Sequence, residues 1–418
     1  LKKLIYLTLL GLIISCENYI GGDFNADPNK PITVPVTNQF PAIQIALVDT
    51  YAGQYSRLTS MLTQQVEGLA RICSQFYRYE GLTPDRFVIL WNNIYEKVLN
   101  EIKIAKEQSI EQNFNHHLGV LNIMEAYTLM IATDVWDDIP YSTALQGLDK
   151  SDPVYDDQTI IYELIFDLLD QGISLLSGPT GSLVLSEEDV YLAGDIDTWI
   201  KAAFAIKARG HLHFDNYEEA LVAAQNSFKS SEENLGYRYT DPNAAFNWYR
   251  FNRDRTGDIG FSPFMRNLME SKQDSFRLSI IDQDFWINHP YITPDHFFEL
   301  ISYREIQFLI AEIDLRLNGS ISPQGYEAFL NGIRASFEKF GLPNGDYASY
   351  INSVQFPQEA TLTIEDVLHE KYIALFLQPE TYSDFRRTGY PELTPTSGSM
   401  IPVRWQYSAT EYEFNSNA

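Results

Sequence analysis

The sequence predicts an all-α protein in which paired helices form a scaffold and one stretch, about residues 231–300, stands apart as a loop-rich lobe. Three observations predict it. Apolar residues recur at steps of three and four, as in WNNIYEKVLNEIKIAKEQ, where Trp91, Ile94, Tyr95, Val98, Ile102 and Ala105 share one face. Short polar turns separate neighbouring periodic segments, which makes antiparallel helix hairpins. Residues 231–300 lose the period and instead hold Pro242, Pro263, Pro290 and Pro294 with the aromatic runs FNWYRF and DFWINHPY. A long aperiodic stretch inside a compact chain is more often a functional excursion than a passive connector.

From the N-terminus, Lys2-Lys3 precede an apolar run from Leu4 to Ile14 that is too short to span a bilayer, and Ser15 is a small residue at the expected cut. Residues 1–15 therefore read as a signal peptide. Ile13-Ile14-Ser15-Cys16 resembles a bacterial lipobox, which makes Cys16 the expected lipidation site; a plain secretory signal with no role for Cys16 is the alternative. Residues 16–40 carry Gly21, Gly22, Pro28, Pro31 and Pro35 without helical period and are expected to be a lipidated flexible tether. Residues 41–418 are expected to form a single α-helical domain with the lobe as an insertion.

Within that domain NHHLGVLNIMEAYTLMIATDVW is nearly uniformly apolar and so expected to be deeply buried, and TIIYELIFDLLDQGISLL continues the helical period. DTWIKAAFAIKARGHLHF and NYEEALVAAQNSF are separated by little more than Asp215-Asn216. ISYREIQFLIAEIDLRLNGS and SPQGYEAFLNGIRASFEKFG repeat the arrangement, with Gly319 and Gly341 suited to C′ positions and Ser322-Pro323 to an N-cap followed by N1. Small residues such as Ala202, Ala203 and Ala328 fit where helices approach closely. These pairs look like degenerate tetratricopeptide units, and a generic helical bundle is the other reading.

Composition narrows the function. The 418 residues carry 30 Lys and Arg against 56 Asp and Glu, a formal charge of −26 that becomes −28 when the two lysines of the signal are removed. Such a surface repels a phosphate backbone, so no nucleic acid is expected, and membrane contact is expected through the lipid anchor only. Two cysteines allow no disulfide framework; Cys73, in Arg71-Ile72-Cys73-Ser74, lacks the neighbours of a nucleophile and reads as a core residue. His116-His117 are adjacent, and His211 and His213 point to different faces of a helix. No HExxH, paired-cysteine, GxGxxG, GxxxxGK[ST] or GxSxG pattern occurs. No catalytic residue, metal or cofactor is expected, although a carboxylate pair of the glycosidase kind has many candidates among the acids.

Several blocks, in order along the chain, carry a family resemblance. DVWDDIPYSTAL at 134–145 resembles the Asp-Ile-Pro-Tyr-Ser signature of SusD-like (SusD/RagB) outer-membrane lipoproteins of Bacteroidetes. DIDTWIKAAFAIKARGHLHF at 195–214, REIQFLIAEIDLR at 304–316, EKYIALFLQPETYSDFRRTGYPEL at 370–393 and IPVRWQY at 401–407 are similar to further blocks of that family, particularly of its shorter branch. RRTGYP is the most specific of them. The family usually continues beyond the last block, whereas this sequence stops at Ala418. In physical terms Asp-Asp-Ile-Pro reads as a helix-ending turn, and Arg386-Arg387 as guanidinium forks that tie acidic helix ends to the Gly389 loop.

The resemblance implies a non-catalytic, cell-surface nutrient-binding lipoprotein of the outer membrane. It would capture an oligosaccharide or a peptide and deliver it to a SusC-like TonB-dependent transporter; a surface-anchored glycan hydrolase on a helical scaffold is the alternative. Sugar rings present C–H faces that stack on aromatics, so rings outside helical periods are the candidate ligand residues. These are Tyr77 and Tyr79 in QFYRYEG, Trp248 and Tyr249 in FNWYRF, and Trp286 and Tyr291 around His289-Pro290. Asn247, Arg250 and Asn288 stand beside them as hydrogen-bonding partners. Core packing is the competing reading for each ring.

Overall fold

A computed structural model describes residues 34–147, 152–283 and 289–418. The expected lipidation site Cys16, and Trp286 and Asn288, lie outside these residues. The first described helix, α1 (Val36–Thr50), starts inside the expected tether, because Val36, Phe40, Ile43 and Leu47 fall on one face and are buried. It passes through a π-helical segment, Tyr51–Tyr55, into α2 (Ser56–Leu62). There follow α3 (Arg71–Tyr77), α4 (Pro84–Asn92), a second π segment at Asn93–Leu99, α5 (Asn100–Gln112) and α6 (Asn115–Trp136).

The central helix of the fold is α6. It is long and apolar enough to cross a membrane, yet nearly all of it is enclosed by protein, with Val120 through Val135 buried on every face. The next helix, α7 (Gln158–Leu176), is capped by the Asp157 carboxylate on the Thr159 N–H and packs closely along α6. Two more hairpins follow, α8 (Ile196–His213) with α9 (Tyr217–Gln225), and α13 (Tyr303–Asn318) with α14 (Pro323–Lys339). Their ends match the residues expected to make them. Gly319 takes a left-handed φ of 70° after α13, and the Ser322 hydroxyl caps α14 at the Gly325 N–H with Pro323 in the first turn. Ala202, Ala203 and Ala328 are buried between helices, as close approach requires.

Residues 231–300 consist of short elements, but with more helix than the sequence predicts. The helix α10 (Asn247–Asp254) covers most of FNWYRF, and α11 (Pro263–Ser271) and α12 (Ser275–Ile281) follow. Two antiparallel ribbons fasten this lobe: β1 (Val66–Gly68) pairs with β5 (Ile259–Phe261), and β4 (Leu235–Arg238) with β6 (Phe297–Ile301). A third ribbon, β2 (Ile139–Pro140) with β3 (Tyr155–Asp156), follows the turn after α6. The chain closes with α15 (Asn344–Ile351), α16 (Ile364–Ala374), α17 (Glu380–Thr388) and α18 (Ala409–Phe414). One large apolar core runs from α1 to α13 and takes in Tyr372, Phe376 and Trp405. A smaller one, around Phe308, Phe329, Phe337 and Tyr350, joins α13 to α16.

Candidate functional site

The blocks of the resemblance meet in a buried polar network. Arg386 donates to the Asp134 carbonyl, Arg404 Nε donates to the Trp136 carbonyl at 2.9 Å, and the Trp136 indole N–H donates to the Gln406 carbonyl at 2.9 Å. Arg387 forks onto Glu312 and Asp384, Lys371 joins Asp384 at 2.8 Å, and Arg209 pairs with Glu305 at 2.7 Å. His213 lies 3.3 Å from Asp134 and 2.9 Å from Glu380. Burial alone would raise the Asp384 carboxyl, but Lys371 and Arg387 hold it down at about 2. Charges this well paired hold helices in register and leave few groups for a ligand. The arrangement bears out the structural reading of Arg386 and Arg387.

A different place has the opposite character. A cavity of about 350 Å³ opens between the end of α1, α2, α3, α4 and α10. Both π-helical segments contribute to it, the first through Gly53 and Gln54 and the second through Asn93. Such segments displace the backbone from the regular ladder and are frequent at functional sites. Gly53 departs from helical geometry and lets the Asn247 side chain approach so closely that a Cβ there would sit 3.3 Å from its Nδ2.

Arg57 is the central group. Its guanidinium donates to Asn247 Oδ1 and lies 4.4 Å from the centre of the Phe251 ring. Among the described residues no carboxylate pairs with it, since Asp49 is engaged by Arg250 at 3.2 Å and accepts from the Tyr239 hydroxyl at 2.9 Å. Burial, with the Arg250 charge acting in the same direction, lowers the Arg57 pKa to about 10, so the group remains cationic at neutral pH. Gln54 donates to the Arg86 carbonyl at 2.8 Å while its Oε1 is buried without a partner. Phe76 and Met61 line the apolar side, and Ile89 stands 66% exposed at the rim. Burial pushes the Cys73 thiol up to about 11, which keeps it protonated and unreactive, as a core cysteine should be.

The candidate ligand residues separate. Asn247 is in this cavity, and Arg250 borders it through Asp49. Trp248 is wholly buried and donates its indole N–H to the Ser56 hydroxyl at 2.8 Å, which corrects its reading as a surface platform. It alternates with Asn247 because a helix turns neighbouring side chains to different faces. Tyr249 is half-buried against the core. Tyr77 and Tyr79 tie down the 390s loop: the Thr396 hydroxyl donates to the Tyr77 carbonyl, and the Thr396 N–H donates to the Tyr79 hydroxyl at 3.2 Å. Tyr291 is a buried residue, another correction, and lines a separate cavity. Arg57, Gln54, Phe76 and Phe251 escaped the sequence reading. The available signal was a lone arginine in SRLTSML, a helix whose other residues are all buried.

The fold and sequence have relatives. A family described as "Starch-binding associating with outer membrane" (SusD-like) matches residues 28–288 and 282–408. The structure resembles a SusD/RagB family protein from Bacteroides thetaiotaomicron at a TM-score of 0.76 and 20% identity, covering 92% of this chain and 95% of that one. It resembles a SusD homolog from Bacteroides fragilis at 0.75 and 20%, over 92% and 94% of the two chains. A chitin-binding SusD homolog from Flavobacterium johnsoniae matches at 0.71 and 18%, over 91% and 94%. No curated protein matches the chain by sequence. With the family match running through nearly all of the described residues, and the signature blocks joined into one network, the chain belongs to the SusD-like family of starch-binding proteins that associate with the outer membrane.

Proposed function

We propose that this protein captures an oligosaccharide in the cavity around Arg57 and delivers it to a SusC-like TonB-dependent transporter. The observation that carries the binding step is a guanidinium held in an open cavity by Asn247 and Phe251 with no carboxylate partner among the described residues. Its planar fork suits adjacent hydroxyl oxygens, and the amide groups of Gln54 and Asn93 offer donors and acceptors for the remainder of a sugar. Phe76 and Ile89 supply apolar surface for C–H faces. Glycan is favoured over peptide because the family is described by starch and two structural relatives are named as chitin-binding. The transporter follows from family membership and from the outer-membrane association that the family shares.

The test is a glycan and peptide array with purified protein, followed by calorimetry on the best ligand with Arg57→Ala. Loss of a charge-assisted hydrogen bond removes about 1.5–3 kcal/mol, so affinity should fall at least tenfold with the circular dichroism spectrum unchanged. Equal binding by the variant would remove Arg57 from the site. Selective retention of peptides would replace glycan as the ligand, and release of shortened glycans would favour the hydrolase.

A further inference from the structure

A second cavity of about 350 Å³, which shares no residue with the Arg57 site, opens between the end of α6, the first turns of α7, the end of α8, α17 and the chain around Arg404. Its volume falls within the range of small-molecule sites. It gathers cations in a chain whose formal charge is −26: Arg386, Arg387, Arg404 and His213 line it, against the carboxylates of Asp134 and Asp137. Two of these cations are neutralised by protein. Arg387 forks onto Glu312 and Asp384. His213, cationic because Asp134 and Glu380 outweigh its burial, sits between those two carboxylates. Arg386 and Arg404 differ, since among the described residues neither has a carboxylate within ion-pair distance. Arg386 donates through Nη1 to the Asp134 carbonyl, and Arg404 donates through Nε to the Trp136 carbonyl and through Nη2 to the Tyr407 hydroxyl at 2.7 Å. Each guanidinium also lies against an aromatic ring, Tyr382 at 5.6 Å and Tyr407 at 5.1 Å, which helps to fix it in place.

Those bonds leave donors over. Arg386 Nε and Nη2 have no hydrogen-bond partner among the described residues, and neither atom is closed to solvent. The Ser383 hydroxyl, one turn earlier on α17 and so on the same side of the helix, is in the same condition. Arg404 is exposed, and its Nη1 is unpartnered among the described residues. A guanidinium fork offers parallel N–H groups to two oxygens on one centre, so the fitting ligand group is an oxyanion, and a planar carboxylate above all. The charges set its valence. With Arg387 and His213 neutralised, Arg386 and Arg404 face Asp137 alone, an excess of one positive charge that a monoanion cancels and a dianion overshoots. Phe214 and Val403 line the cavity as apolar surface for the remainder of the molecule. We propose that this cavity binds the carboxylate of a small organic monoanion, with Arg386, Arg404 and Ser383 as its donors.

The site does not rest on the Arg57 reading, so the two fail separately. The experiment titrates the mature protein by calorimetry with glucuronate and N-acetylalanine, a carboxylate carried on a sugar and one carried on a peptide unit, with glucose and inorganic phosphate for comparison. Crystals are soaked in the same four probes. The variants are Arg404→Gln, Ser383→Ala and Arg57→Ala, each checked by thermal unfolding. Ser383→Ala removes a hydroxyl that has no partner, so it serves should Arg404→Gln lose stability at the Trp136 carbonyl. At least one carboxylate should occupy the cavity between Arg386 and Arg404, bind about five- to twentyfold more weakly to Arg404→Gln and about three- to tenfold more weakly to Ser383→Ala, and weaken as salt is raised. Either carboxylate supports the proposal, and the tighter of the two names the source of the ligand. No binding of either, equal affinity in wild type and both cavity variants, or tighter binding of phosphate or glucose would overturn it. Binding lost in Arg57→Ala alone would assign the carboxylate to the first cavity and equally overturn it.

Discussion

The indole of Trp248 fills a position with no solvent exposure and its N–H is satisfied by Ser56. Trp248→Ala should therefore destabilise the protein by about 3–5 kcal/mol, the usual cost of a large core truncation, visible as a lower denaturant midpoint. A variant as stable as wild type would return Trp248 to the surface. Its burial was hidden in the sequence because α10 has only eight residues, too few for the Trp248 and Asn252 pair to register as a period. Arg57 was hidden for a converse reason, as a single charged residue in a segment dominated by core positions. His213 gives a prediction with a sign. Burial lowers its pKa, but the carboxylates of Asp134 and Glu380 outweigh burial and raise it to about 10, from 6.5 for a free imidazole. A raised folded pKa contributes stability that is complete below 6.5 and drains away as pH climbs toward 10. The melting-temperature advantage of wild type over His213→Gln should thus shrink between pH 6.5 and 8, by about 1 kcal/mol per pH unit. An advantage that is flat across this window would mean the imidazole is neutral in the folded state. Lys339, whose pKa burial pushes down to about 8, is common to wild type and His213→Gln and so cancels from the difference.

Helix contacts were the most legible level of the structure. The period of three and four, the Ser322-Pro323 start and the Gly319 stop all encode local geometry, so both hairpins could be placed from neighbouring residues alone. The contact between α6 and α7 was less legible, since closeness of two helices depends on residues far apart in the chain. Gly119 and Gly172 face each other there. A Cβ on Gly172 would lie 2.8 Å from Ile123 Cγ1 and 2.9 Å from the Gly119 carbonyl oxygen. One contact atom is backbone, so the helices themselves must move apart. Gly172→Ala should cost about 1–3 kcal/mol by overpacking. Gly345, in the first turn of α15, has no atom within 4 Å of the place a methyl group would occupy. Gly345→Ala should instead stabilise by up to about 1 kcal/mol through helix propensity. Parallel urea titrations check both; equal effects would show that helix propensity alone governs these glycines.

At the scale of the whole molecule, the question is how an acidic protein with formal charge −26 stays at a membrane. Among the described residues the one helix apolar and long enough to insert is α6, and it is the buried centre of the fold. Withdrawing it would expose the core that α7 covers, so it is no anchor. The acidic surface gains nothing from anionic headgroups. We therefore expect its association with the outer membrane to rest on a lipid on the N-terminal segment, on a partner, or on both. We propose that Cys16 of the lipobox-like Ile13-Ile14-Ser15-Cys16 carries that lipid. A single acyl chain binds membranes only reversibly and stable anchoring takes more than one contribution, so lipidation and a transporter contact should be separable. In the native cell, Cys16→Ala should leave the outer-membrane fraction or accumulate as unprocessed precursor. The wild-type protein, extracted in mild detergent, should co-purify with a TonB-dependent barrel through an interface above roughly 1,000 Å². Cys16→Ala retained in full at the membrane would refute lipidation as the anchor, and wild type extracted only as a free monomer would refute the transporter partnership.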